Sequence, residues 1–116
     1  MFAPLQKKAK NDLHPKLMKE QTRIIKCGSG YDAYKFARDV RGADIGALQN
    51  KVINDKYGHT AYEFAINVKG ADYEELVSSV FSDEKRMREW MTAAGQNEEE
   101  FWADERNQAA YLKFKS

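Results

Sequence analysis

Two groups of residues carry the clearest chemistry in this 116-residue chain, and both suit binding better than bond-making. Lys16, Lys19, Arg23 and Lys26 recur at i, i+3, i+7 and i+10, a spacing that lines four cations along one helix face. With Lys7, Lys8 and Lys10 ahead of it, such a face can follow phosphates, so nucleic acid is one partner class. No aromatic is interleaved with these cations to stack a base, and a pI of about 7.8 is low for a nucleic-acid binder. The second group is acidic: Glu98, Glu99, Asp104 and Glu105 surround Trp102 in sequence. Carboxylates around a tryptophan suit a basic surface on a protein partner, with the indole as anchor. For both groups the competing expectation is a solvated outer face.

Residues that ligate or catalyse are scattered. His14, Cys27 and His59 fall on separate segments, with no C-x-x-C or H-x-x-x-H pair, so neither metal nor cofactor is expected. Gly28-Ser29-Gly30 lacks the lysine and spacing of a phosphate loop and reads as a helix stop. The carboxylate runs at Glu74/Glu75, Asp83/Glu84 and Glu98–Glu100 fit the positive ends of helices better than acid–base pairs. No nucleophile turn is present, and the chain is not expected to be an enzyme. A lone cysteine, expected to sit half-buried at a helix end, points to a reducing cytoplasm. No apolar run approaches the roughly 18 residues of a membrane span, and the early lysines are followed by no apolar signal stretch.

The elements that must position these groups are written twice. AYKFARDVRGADIGALQNKVI from Ala33 to Ile53 returns 28 residues later as AYEFAINVKGADYEELVSSVF, with ten of 21 positions identical. The identities fall on apolar positions and on Gly42/Gly70 and Asp44/Asp72, which marks them as scaffold; differing positions such as Lys35/Glu63 and Arg38/Ile66 are left for specificity. Each copy predicts two short helices. Asp32 or Thr60 caps the first, Thr60 with Glu63 forming a capping box; glycine stops it; Asp44 or Asp72 caps the second, with Asp72 and Glu75 again in box register. Ala33, Phe36, Ala37 and Val40 share a core face, as do Ala61, Phe64, Ala65 and Val68, while Tyr34 and Tyr62 keep wet hydroxyls beside it.

Worn copies flank the pair. Gln21 and Ile24-Ile25 stand 28 residues before Gln49 and Val52-Ile53, so Pro15–Lys26 reads as a lone second helix capped from Asn11 or Asp12. Ser82 is expected to cap a helix carrying Met87, Trp90, Met91 and Ala94 inward. After Gly95, Asn97 and Glu100 open a last helix, about 98–113, that buries Phe101, Trp102, Ala109 and Leu112.

The fold class is therefore all-α, a stack of short helical hairpins of the solenoid kind with about seven helices. A single domain spans 1–116: a flexible basic arm over 1–14, a cap helix within 15–32, repeats over 33–60 and 61–82, and a degenerate capping repeat over 83–116. The Y-x-F-A-x-x-V-x-G-A-D-x-x-x-L pattern at Tyr34–Leu48 and Tyr62–Leu76 resembles short helical repeats of uncharacterised phage and bacterial proteins. That resemblance covers about half the chain and implies a small factor that binds and inhibits or modulates a host protein. It implies no substrate or catalytic residue. Charge also runs along the chain: +5 over residues 1–30, zero over 31–72 and −4 over 73–116. This gradient makes head-to-tail self-association a third expectation, after a protein partner and nucleic acid.

Overall fold

A computed structural model describes residues 13–116, which form eight helices with no strand among them. In order they are α1 (Pro15–Cys27), α2 (Gly30–Asp39), α3 (Ile45–Asp55), α4 (Gly58–Asn67), α5 (Tyr73–Ser78), α6 (Glu84–Ala94), α7 (Glu98–Ala103) and α8 (Glu105–Lys115). The class is all-α. Helices of 6–13 residues are marginal alone in water, so packing must hold them. That packing runs between near neighbours: α1 on α2 and α3, α2 on α3 and α4, α4 on α3, α5 and α6, α5 on α8, and α8 on α7. The protein extends 57 × 26 × 25 Å with a radius of gyration of 16.0 Å, against about 13 Å for a compact globule of this length.

The 28-residue echo returns in the hydrogen bonds. Val40 and Val68 close α2 and α4, and their carbonyls accept from Ala43 and Ala71 at 3.3 and 3.2 Å. Between them Gly42 and Gly70 hold φ of +86° and +91°, the third position of a type II turn, where a side chain is costly. Asp44 and Asp72 then cap α3 and α5, accepting from Ala47 and Glu75 at 3.1 Å. Glutamines tie one unit to the next: Gln21 Oε1 accepts from Asp44 N–H, and Gln49 Oε1 from Asp72 N–H, each at 2.8 Å. Gln49 is buried and also donates to the Glu75 carboxylate, which is thereby drawn away from the Asp72–Glu75 capping box.

The first helices begin earlier than their sequence caps imply. Ser29 caps α2 in a box with Asp32, which is the third helical residue and not the cap. Tyr57 opens α4 without a side-chain cap; Thr60 is buried and forms no box with Glu63. The first N–H of each helix instead finds a carboxylate from another helix, Gly30 to Asp55 at 3.0 Å and Gly58 to Glu89 at 2.9 Å. His59 consequently lies inside α4 and not in a turn. Asp83, not Ser82, caps α6. His14 Nδ1 caps α1 and Leu13 is buried, so both belong to the folded domain and not to the arm. The arm lysines and the caps expected at Asn11 or Asp12 lie outside the described residues. Cys27 is exposed, not half-buried.

One core runs the length of the stack. Ala33, Phe36 and Ala37 meet Ile24, Leu48 and Val52; Ala61, Phe64 and Val68 meet Leu76 and Val77; Trp90, Phe101 and Ala110 continue it. Tyr34 is buried rather than wet, and its hydroxyl accepts from Asn67 Nδ2 at 2.8 Å. The last helix is not continuous. Asp104 caps a new helix by accepting from Arg106 N–H at 2.9 Å, which raises the count from seven helices to eight. The break resets the register, so Asn107 and Ala110 turn inward while Ala109 and Leu112 are exposed, Leu112 to 69%.

Candidate protein-binding surface

The acidic carboxyl-terminal part owes its shape to how α6 and α7 are anchored. On α6, Trp90 is wholly buried and meets the rings of Tyr62 and Tyr73 edge-on at 5.3 and 5.7 Å. Met87 and Met91 flank it one turn apart and remain half-buried. Gly95 ends α6 in the left-handed region, with Gln96 N–H reaching back to the Met91 carbonyl at 2.9 Å. On α7, Asn97 and Glu100 form the expected capping box. Glu98 and Glu99 are therefore left in the first turn with their carboxylates exposed.

Trp102 is half-buried and lies flat against Phe81, centroids 5.8 Å apart at 18°. It also meets Phe101 and Tyr111 edge-on at 4.9 and 5.1 Å. Two side chains of α8 hold the end of α7: Asn107 Nδ2 donates to the Phe101 carbonyl at 2.8 Å and Gln108 Nε2 to the Trp102 carbonyl at 2.7 Å. Between α6 and α7 this leaves a groove of about 560 Å³. Its floor is Phe81, Met87, Met91 and Trp102; its rim is Ser82, Glu84, Arg88 and Glu98. Arg88 pairs with Glu84 at 3.3 Å, so Glu98 gives the rim a net negative charge. A polarisable, unbranched methionine pair beside an aromatic plate is an adaptable apolar surface.

The residues singled out in the sequence divide by place. Trp102 and Glu98 line the groove, whereas Glu99 on α7 and Glu105 on α8 are exposed outside its lining. Asp104 is committed to the chain's own structure: besides capping α8 it forks with Arg106 at 3.2 and 2.9 Å. The Arg106 guanidinium holds the Asp104 carboxyl below the usual carboxylate range and lies 4.0 Å over the Tyr73 ring. Lys16, Lys19, Arg23 and Lys26 are all exposed on α1, which packs mainly on α2 and α3, and none of them lines the groove, so the two groups form no common site. Arg23 is engaged by Glu20 at 2.6 Å. A smaller cleft of about 380 Å³ lies where α2 and α4 end, with Arg38, Arg41 and Lys69 over Ala43 and Ile45. Cations at helix carboxyl ends answer the helix dipole, which accounts for that cluster.

Phe81, Met87 and Met91 line the groove without having stood out in the sequence as surface residues. Helical spacing points both methionines inward with Trp90, whereas they are half-buried; an i, i+4 pair beside Glu84 and Arg88 is the sign in the sequence that their face is shared with solvent. Among the described residues no helix is long and apolar enough to cross a membrane, and no three His, Cys, Asp or Glu side chains converge. No protein-family model matches the chain, and neither a curated protein nor a solved structure matches it significantly.

Proposed function

We propose that the protein is a non-enzymatic protein-binding module whose partner enters the α6–α7 groove. The observation behind this reading is a concave apolar floor of Phe81, Met87, Met91 and Trp102 left open to solvent under a charged rim. Interfaces concentrate their energy in such half-buried aromatic and methionine anchors ringed by polar groups. The rim's net negative charge selects a partner segment that combines apolar side chains with Lys or Arg. The setting suggested by the repeat resemblance is a factor that inhibits or modulates a host protein, and the lone cysteine suggests the cytoplasm for it.

Selection from a displayed random-peptide library tests this, followed by mapping of the winners on the protein by NMR. The expected winners carry aromatic or aliphatic residues next to Lys or Arg and shift the Trp102 indole N–H. Their affinity falls at least about tenfold in Met91→Glu, a drop of about 1.4 kcal/mol. Winners that map elsewhere, or none at all, sink the reading. Nucleic acid is the second reading, favoured by Lys16, Lys19 and Lys26, which are exposed and have no carboxylate partner among the described residues. Titration with duplex and single-stranded DNA at two salt concentrations decides it, since phosphate contacts weaken steeply with salt.

A further inference from the structure

We propose that the groove's occupant is residues 1–12 of a second copy of this chain, so that copies join head to tail. This rests on the reading of the groove as a protein-binding surface and names its partner. The chemistry of the two parts matches. Residues 1–12 read MFAPLQKKAKND, apolar at Phe2 and Leu5 and cationic at Lys7, Lys8 and Lys10. The groove offers an apolar floor and, at Glu98, a carboxylate without an ion-pair partner among the described residues. Phe2 and Leu5 would cover Met91 and Trp102, and the lysines would reach Glu98 and the neighbouring Glu99.

The architecture argues for a second copy over the chain's own segment. Residue 13 leads directly into α1, which packs on α2 and α3; the groove lies beyond α4, on α6 and α7. Segment and groove are different surfaces, so each copy offers one of each, and such a heterologous contact propagates from copy to copy into a chain, closed or open according to the rotation between neighbours. The charge gradient, +5 over residues 1–30 and −4 over residues 73–116, aligns neighbours in the same sense.

Sedimentation velocity on the full chain across a concentration series tests the proposal. The weight-average mass should rise above monomer at about 20 mM salt, with association at least about tenfold weaker at about 500 mM. Two variants, each checked for helicity by circular dichroism, separate the two halves of the contact. Phe2→Ser with Leu5→Ser removes the insert and lies outside the described residues; Glu98→Lys with Met91→Lys spoils the groove. Each alone should be monomeric, and an equimolar mixture should stop at a dimer, because one intact segment and one intact groove remain. A synthetic peptide of residues 1–12 should shift the Trp102 indole N–H of the Phe2→Ser/Leu5→Ser protein and leave the groove variant unchanged. A wild-type protein monomeric at every concentration in low salt overturns the proposal, as does association that survives the groove substitutions. If it fails while library-selected peptides still shift Trp102, the groove remains a protein-binding surface with another partner. If selected peptides fail too, the groove reading falls with it.

Discussion

Gly58 is the residue whose replacement the packing tolerates least. It is the first residue of α4, where its N–H meets Glu89, and an added Cβ would lie 1.9 Å from the Arg86 carbonyl oxygen and 3.0 Å from the Trp90 nitrogen. Both atoms are backbone, so α6 as a whole would have to move. Gly58→Ala should therefore cost about 3 kcal/mol in urea unfolding, near the upper end for overpacking. Gly30, its equivalent 28 residues earlier, faces the Asp55 Cβ and carboxylate at 2.8 Å, a milder overlap that involves no backbone atom among its nearest neighbours, and should cost less. Equal costs at the two sites would contradict this backbone contact. Tyr73 gives a pH signature at the same scale. Burial pushes its phenol up to about 12, and its hydroxyl donates to Asn107 Oδ1 at 2.7 Å. A folded pKa above the unfolded value of about 10 means that this contribution is intact below pH 10. It is lost as pH rises through about 12, so stability should fall across that window. In Tyr73→Phe that decline should shrink, while stability at neutral pH drops by about 1–3 kcal/mol because Asn107 Oδ1 is left unpaired. Ultraviolet tyrosine titration alongside alkaline denaturation checks both.

Between elements, the glutamine bridges do what the caps alone cannot. Asp44 and Asp72 each satisfy an amide of their own helix, while their own N–H groups depend on Gln21 and Gln49 of the preceding unit. Gln49 is buried and makes two such bonds, whereas Gln21 is only partly buried. Gln49→Ala should cost about 2 kcal/mol and Gln21→Ala about 1 kcal/mol, with faster amide exchange at Asp72 and Asp44 respectively. Phe64→Ala should cost about 5 kcal/mol and Phe36→Ala about 3 kcal/mol, because Phe64 is the more completely enclosed. A melting curve unchanged by either phenylalanine substitution would refute the core assignment. These elements also mark what could be read from the chain beforehand. Apolar spacing and the Gly-Ala-Asp turns gave the helix order, because those signals are local. Gly30 stands in a run that reads as a helix stop, yet it opens α2 as Gly58 opens α4; the small size of both answers a neighbouring helix, which no local pattern reports. Gln21 and Gln49 were visible as an echo, but their bonds cross between units. The break at Asp104 was hidden because Glu98–Lys113 has continuous helical composition, and it is the break that exposes Leu112. Of the groove, Trp102 and Glu98 were legible; its methionine floor was not, since a half-buried face has the same spacing as a buried one.

At the scale of the whole molecule, contacts between near neighbours make stability local. α4 touches α2, α3, α5 and α6, whereas α1 touches α2 and α3 and contributes a single buried residue, Ile24. α7 packs only on α8 among the contacts that define the stack, and α8 in turn joins the rest through α5. Native-state hydrogen exchange should therefore grade along the molecule. Amides of α4 should exchange only through near-global unfolding, with a urea dependence close to that of the whole protein. Amides of α1, and those of α7 and α8, should exchange through smaller openings with weaker urea dependence. Uniform protection across all eight helices would mean that the ends do not open independently. The groove sits at one of these looser ends, so its occupation has a measurable consequence. A bound segment bridges α6 and α7, and by mass action it should slow exchange in both helices in proportion to its saturation. It should leave α1 unchanged if the added segment is a peptide. If a second copy's residues 1–12 fill the groove, α1 of that copy should also become protected as concentration rises, because the segment leading into it is then held. Protection rising together at both ends with concentration, while α4 stays constant, distinguishes a chain of copies from a module occupied by an unrelated partner.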